Sequence, residues 1–391
     1  MKLKLTIICL LLGTGLFSSC IREEALNTEA DIESVTLAGN VMNRSAEFGD
    51  AITTPSGGLI YPVTLYVKKG TDVTRLAPEL TLTEGASVVP ASGTTLDFTD
   101  SQDYIVTSED GLWKRHYRLS VTTSGITNTK YSFEHVRMGG GGKYHIFYEV
   151  DQAEVETFAW VCGNPGFALA DSREDNPVNF LTYQDDNGYE GKCVTMVTRR
   201  AGGLAELVNM PIASGNLFLG QFDVLDALNN ALTATKFGLQ FEHVPTRLSG
   251  YYKYKSGDTF YKLDTSAEDK LSPVPGRKDQ GNIYAVFYES TEERPILDAT
   301  DILSEDNEQV ISTAVINQDD MPETDEWTYF EIPFTFRDGK TVDYDKLAQG
   351  QYCLTIVFAS SIRGDYFEGA PGSTLSIDEV ELDYEDAVTE E

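Results

Sequence analysis

The stretch YCLTIVFASSIRGDYFEGAPGSTLSIDEVELDY, Tyr352 to Tyr384, constrains this chain more than any other. Tyr352, Leu354, Ile356 and Phe358 alternate with Cys353, Val357 and Ala359, so both faces are apolar, as in a short strand packed on both sides. The pattern predicts a central strand. The chain leaves it through Ser360 and Ser361 into a loop rich in glycine and charge, Arg363 to Ser373, and returns as a second strand from Thr374. There Leu375 and Ile377 share one parity while Val380 and Leu382 share the other, so an extra residue must be absorbed at Asp378 and Glu379. That is the signature of a β-bulge, which often re-aims side chains beside a site.

The same region carries a resemblance. FASSIRGDYFEGAPGSTLSIDEVEL, together with LSGYYKYKSGD at Leu248 to Asp258, closely resembles the putative carbohydrate metabolism domain of Bacteroidetes lipoproteins, over roughly residues 126–384. The resemblance implies a jelly-roll β-sandwich with a carbohydrate site.

Upstream, short strands recur at regular spacing over Asp31 to Thr123: Ser34 to Ala38, Tyr61 to Val67, Glu79 to Leu82, Tyr104 to Ser108 and His116 to Val121. Turn signals separate them and helical periodicity is missing, which predicts an immunoglobulin-like sandwich over residues 31–123. No Cys-Trp-Cys framework accompanies it. The segments LTLTEGASVVPASGTTLDF, YIVTSEDG and YRLSVT resemble the small β-sandwich modules that precede larger domains in Bacteroidetes surface proteins, which act as spacers. Residues 122–129 read as a linker. The expected fold is therefore all-β, an immunoglobulin-like β-sandwich followed by a larger jelly-roll over 126–384 and an acidic tail over 385–391. Asp223 to Leu232 is the one helical pattern, with Leu225, Leu228 and Leu232 on one face.

At the amino terminus Lys2 and Lys4 precede the apolar run Leu5 to Leu12, and small residues lead to Cys20. The run is far shorter than the ~20 residues a membrane-crossing helix needs, so residues 1–19 read as a secretory signal. Phe17-Ser18-Ser19-Cys20 resembles a lipobox, which makes Cys20 the acylated first residue of the mature protein and residues 20–30 a tether to the membrane. Ile21-Arg22-Glu23-Glu24 resembles the export signal of surface lipoproteins, which implies the outer face of the outer membrane; with the carbohydrate resemblance, the partners expected are a glycan and the components of a glycan-uptake system. Acidic residues number 62 against 30 basic, a formal charge of −32, which argues against nucleic acid or an anionic lipid surface and carries no penalty for a neutral glycan. Beyond Cys9 in the signal and Cys20, the chain has Cys162, Cys193 and Cys353; a bridge from Cys162 to Cys193 is open on count alone, and Cys353 sits in the apolar strand as a small hydrophobe.

Sugars offer C–H faces that stack on aromatic rings and hydroxyls that pair with charged and hydroxyl side chains. Tyr251, Lys253, Trp327, Tyr329, Ser361, Arg363 and Asp365 are of those types, and the jelly-roll resemblance would set them around one concave surface. In Ser249 to Lys255, Tyr251 and Lys253 share a face that must open to water or to a ligand, since lysine is rarely buried unpaired. Trp327 to Phe336 alternates with Phe330, Ile332, Phe334 and Phe336 inward. A glycosidase needs two carboxyl groups about 5 to 9.5 Å apart; Glu289 and Glu331 are the candidates. No cofactor is required, but Asp378 resembles the acidic residue that helps hold a structural calcium in several carbohydrate-binding jelly rolls. Two motifs fail: Gly139 to Lys143 lacks the P-loop pattern, and Asp185-Asp186-Asn187-Gly188 lacks that of an EF-hand. The readings that remain are carbohydrate binding, glycoside hydrolysis at the same surface, and a structural or adhesive surface protein.

Overall fold

Two separate hydrophobic cores, each clamped between β-sheets, account for most of the buried side chains in the computed structural model. The structure describes residues 26–385 except 40, 43–45, 50, 55–56, 69, 124, 127, 151–153, 155, 171–172 and 228–229. The signal, Cys20, Glu23, Glu24 and most of the acidic tail lie outside the described residues, as does Leu228.

The first core is built from residues between Ala30 and Leu119, with Val63, Leu65, Val67, Tyr104, Val106 and Leu119 wholly buried. Leu59–Val67 lies parallel to Lys114–Thr123, which pairs antiparallel with Gln102–Thr107, and Ile32–Leu37 pairs with Pro78–Leu82 in a second sheet. Each of the strands expected in this region is present. Tyr117 is buried and its hydroxyl donates to Asp31 at 2.9 Å, so it packs; Trp113 is exposed at a turn. The segment read as a linker is docked: Ile126 is buried in the second core and its N–H donates to the Gln240 carbonyl at 2.9 Å.

The second core lies between two larger sheets. The first sheet runs Thr182–Asp185, Cys193–Val197, Thr374–Glu385, Val244–Lys255, Thr324–Pro333, with Lys130–Tyr131 also paired to Thr374–Glu385. The second runs Asn216–Phe218, Tyr352–Ala359, Asn282–Glu289, Val310–Val315, Thr335–Phe336. Tyr352–Ala359 is central, paired on both edges, and seven of its eight residues are buried. Leu248, Tyr252, Phe330, Leu375 and Val380 from one sheet meet Ile283, Phe287, Leu354 and Phe358 from the other. The fold is an all-β sandwich architecture, and each sheet has an outer face that the core does not use.

The bulge falls where the parity switch placed it. Ser249 pairs with Glu381 but Tyr251 pairs with Asp378, so Gly250 alone faces Glu379 and Val380, and Glu379 takes a left-handed φ of 46°. Gly250 eases the crowding there, since a Cβ would lie 3.1 Å from the Val380 Cα and 3.0 Å from the Phe330 ring, and those neighbours would have to shift by a few tenths of an ångström.

Two expectations are corrected. The strand expected over 327–336 breaks at Pro333: Thr335–Phe336 crosses to the second sheet and pairs with Val310–Val315, which leaves Phe336 exposed and Phe334 only partly buried. The helix expected over 223–232 is two short pieces, Val224–Ala227 and Ala231–Ala234, and further short helices occur at Asn164–Ala170, Gly203–Leu207 and Tyr344–Ala348. The three described cysteines are free, buried thiols, so Cys162 and Cys193 form no bridge.

Candidate functional site

The outer face of the first sheet carries an aromatic surface built from three elements. Because Tyr252 and Tyr254 turn into the core, Tyr251 and Lys253 point outward, and register sets Tyr251 beside Tyr329 with ring centroids 5.5 Å apart. Tyr189, from the loop between Thr182–Asp185 and Cys193–Val197, stacks flat on Tyr251 at 3.6 Å and 10°. The Lys253 ammonium sits 4.7 Å over the Trp327 ring, a cation–π contact that solves the problem of a lysine on an aromatic face. Tyr189 and Tyr329 remain open to solvent, at 44% and 51% exposure.

The bulge puts Tyr189 in place. Asp378, wholly buried, accepts the N–H of Tyr189 at 2.6 Å, of Glu190 at 3.1 Å and of Glu379 at 2.9 Å. Those bonds tie the 186–191 loop to the sheet, and an Asx turn on Asp185 starts it through the Asn187 N–H. Gly188 must be glycine, since a Cβ would lie 2.7 Å from the Glu190 and Lys192 carbonyls and 2.8 Å from Asp378 Oδ2. Burial pushes the Asp378 carboxyl up to about 6 against the pull of its backbone donors. Its oxygens are taken by N–H groups, and no cluster of three or more His, Cys, Asp or Glu side chains exists among the described residues, so the donor set does not fit the calcium expected there.

At one end of this face Arg247 bridges Glu331 and Asp383, and the Tyr329 hydroxyl donates to Glu331 at 3.0 Å. Glu289, the other expected carboxylate, sits in the second sheet and pairs with Lys346 at 2.5 Å. Glu289 and Glu331 therefore belong to different sheets, each in an ion pair of its own.

Ser361, Arg363 and Asp365 lie elsewhere, by the outer face of the second sheet. A cavity of about 510 Å³ there is floored by Phe218, Tyr284 and Val357 and covered by Asn164–Ala170, Gly203–Leu207 and the 297–304 and 360–367 segments. Ser361 is buried, donates to Asp279 at 2.5 Å and shares a hydroxyl network with Thr198, Ser214 and Ser360. Arg363 stacks over Tyr366 at 4.1 Å and donates to Glu368. Asp365 keeps an exposed edge, yet the protein crowded around it strips water from its carboxyl and pushes it up to about 6, with Arg363 offsetting part of the effect. Asp301, also lining the cavity, is gripped bidentately by Arg294 at 2.7 and 2.5 Å and held below the usual aspartate range.

Comparison with known proteins fits these features. Residues 132–383 match the family model described as putative carbohydrate metabolism domain. The chain belongs to this family. Residues 61–121 match a second model, described as SGBP, N-terminal. The chain is similar to a crystal structure from Bacteroides thetaiotaomicron described as a putative glycoside hydrolase, with 46% identity, 94% of this chain and 100% of that one covered, and a TM-score of 0.75. A second, from Bacteroides vulgatus and described in the same words, is 42% identical over 66% of this chain and 98% of that one, with a TM-score of 0.59. No protein with a curated description matches. The family makes the chain's role carbohydrate-related.

Of the residues expected at the carbohydrate metabolism domain's site, the structure joins Tyr251, Lys253, Trp327 and Tyr329 on one surface and sets Ser361, Arg363 and Asp365 on the far side of the sandwich. Three residues escaped the sequence reading. Tyr189 sits in an acidic, turn-rich loop whose contact with the sheet depends on a carboxylate 189 residues away. Asp301 is one of 62 acidic residues and differs only in its Arg294 partner. Asp279, buried, accepts from Ser361, Ala370 and Ser373 and so holds the 360–373 loop, an arrangement without a local signature.

Proposed function

We propose that this chain is a lipid-anchored protein of the outer membrane, held through Cys20, that binds an oligo- or polysaccharide on the outer face of its first sheet as part of glycan capture. The observation that carries the reading is the Tyr189, Tyr251 and Tyr329 group: two solvent-facing rings braced by a stacked third, beside Lys253, Glu331 and Arg247. Aromatic faces supply stacking area at little entropic cost, because the rings are held before the ligand arrives. No helix among the described residues is long and apolar enough to cross a membrane, and the anchor proposed here needs none.

The test is a glycan array with the protein from Ile21 onward, followed by titration calorimetry on each hit. Tyr329→Ala and Tyr189→Ala are expected to lower affinity at least tenfold with little change in melting temperature. Unchanged affinity in both variants would remove the aromatic face from the reading. Silence across the array, with a saturable protein partner found instead, would favour an adhesive role.

A second reading, hydrolysis, has its own observation. Asp365 and Asp301 line one cavity and their carboxyls are pushed in opposite directions, which is how one acid and one base are set apart at neutral pH. The two similar structures described as putative glycoside hydrolases add weight to it. Release of product from array hits, abolished by Asp365→Asn while Tyr329→Ala spares turnover of short substrates, would establish it.

A further inference from the structure

The cavity on the second sheet has a chemistry unlike that of the aromatic face. Its walls are mostly apolar, with Phe167, Leu181, Met210, Ile212, Phe222 and Ile302 among them, and no lysine, arginine or histidine is among the described lining residues. Its volume, about 510 Å³, lies within the range of small-molecule sites. Three short helices and two loops roof an outer sheet face that would otherwise pack against them.

The polar groups in this space are few and biased. Ser214, Asn216 and Ser361 are committed to hydrogen bonds within the protein. Asn282 is 7% exposed and lines the cavity, and its side-chain Oδ1 is buried with no hydrogen-bond partner among the described residues. A buried acceptor without a partner loses the hydrogen bonds that water would give it, so a ligand group that donates to it recovers them. Asp301 and Asp365 add two carboxyl groups. Arg294 already pairs with Asp301, so Asp365 is the carboxyl left to face a ligand: a neutral hydrogen-bond donor is matched here, whereas an anion meets that carboxylate in a low-polarity space.

We infer that this cavity is a second binding site, separate from the aromatic face, for a compact and mainly apolar molecule that carries an uncharged hydrogen-bond donor. The Asn282 Oδ1 and the Asp365 carboxyl receive the polar end, and the apolar body fills the space under the Asn164–Ala170 and Gly203–Leu207 helices. The site is independent of whether glycan binds on the first sheet.

Two fluorescent probes separate this from nonspecific apolar adsorption. N-phenyl-1-naphthylamine is apolar, neutral and has one N–H; 1-anilinonaphthalene-8-sulfonate is the same skeleton with a sulfonate. At pH 8 the neutral probe is expected to bind the intact protein saturably and at least tenfold more tightly than the sulfonate. Ala205→Trp, which fills the cavity from its helix, should abolish binding of the neutral probe, with circular dichroism used to check the fold. Asp365→Asn, at the exposed rim, removes a negative charge and should raise sulfonate affinity at least threefold. Equal affinity for both probes in the unaltered protein would overturn the inference. So would neutral-probe binding that survives a folded Ala205→Trp variant, or sulfonate affinity unmoved by Asp365→Asn.

Discussion

Glu149 offers the sharpest test of the core. It lies on Tyr144–Val150, is 6% exposed, and its carboxylate accepts one hydrogen bond, from the Trp160 indole at 2.8 Å. Burial outweighs that bond and pushes the carboxyl from 4.5 up to about 7. A carboxyl whose folded value is raised favours the fold while protonated, so its contribution is full below 4.5 and is lost as pH climbs through about 7. The gap of about 2.5 pH units corresponds to about 3 kcal/mol, most of it falling between pH 5 and 8.5. Glu149→Gln keeps the shape and the acceptor for Trp160 and is neutral throughout. Any fixed cost of its amide hydrogens is the same at both ends of that range. Urea unfolding followed by near-ultraviolet circular dichroism should therefore show the variant gaining about 2 to 3 kcal/mol on the parent from pH 5 to pH 8.5. Stability curves that stay parallel within about 0.5 kcal/mol would mean that Glu149 is not desolvated, and the packing around Trp160 would have to be redrawn.

Other perturbations probe the site's supports. Gly188→Ala forces a Cβ against two carbonyls and Asp378, so the loop should shift, Tyr189 should leave Tyr251, and glycan affinity should fall as far as in Tyr189→Ala, measured by calorimetry. Asp279→Asn replaces an acceptor of four hydrogen bonds, from Ser361, Ala370, Ser373 and the Gln280 N–H, by a group that must turn an amide N–H toward one of those donors. The expected cost is about 1–3 kcal/mol in urea unfolding. Lys68, buried where the first sandwich meets the second and donating to Ser290 at 3.3 Å, is held below the usual lysine range by desolvation. A lysine depressed in this way costs stability as pH falls, so Lys68→Met should raise the melting temperature at pH 7, and the gain should shrink toward pH 10.5.

The parts of the fold that the sequence displays are those governed by strand period. Tyr352–Ala359 reads as a doubly buried strand because every position is apolar or small, and the bulge at Glu379 reads because a parity switch has one local remedy. Local period fails where long-range pairing decides. Phe334 and Phe336 continue the alternation of Phe330 and Ile332, but Pro333 ends pairing in one sheet and the next residues join the other, so the same parity no longer means the same side. The site behaves likewise. Tyr251 and Tyr329 could be grouped because each lies on a strand whose inward face is plain, whereas Tyr189 depends on a loop held by Asp378.

In the glycine-rich loop Ser361 looks like a sugar ligand by type, but it and Ser360 point into a network with Thr198, Ser214 and Asp279 that fixes where the loop runs. Gly364 then passes so close to Ser214 that no Cβ fits, which brings Asp365 to the rim of the cavity. The loop thus presents one carboxyl and uses the rest of its polar groups internally. With the buried core between the two sheets, Tyr329 and Asp365 lie on different surfaces of the sandwich. A carboxylate placed to act on a ligand over Tyr251 would have to come from the first sheet, where Glu331 is already engaged by Arg247 and Tyr329. The separation of the aromatic face from the Asp365 carboxyl follows from which sheet each strand joins.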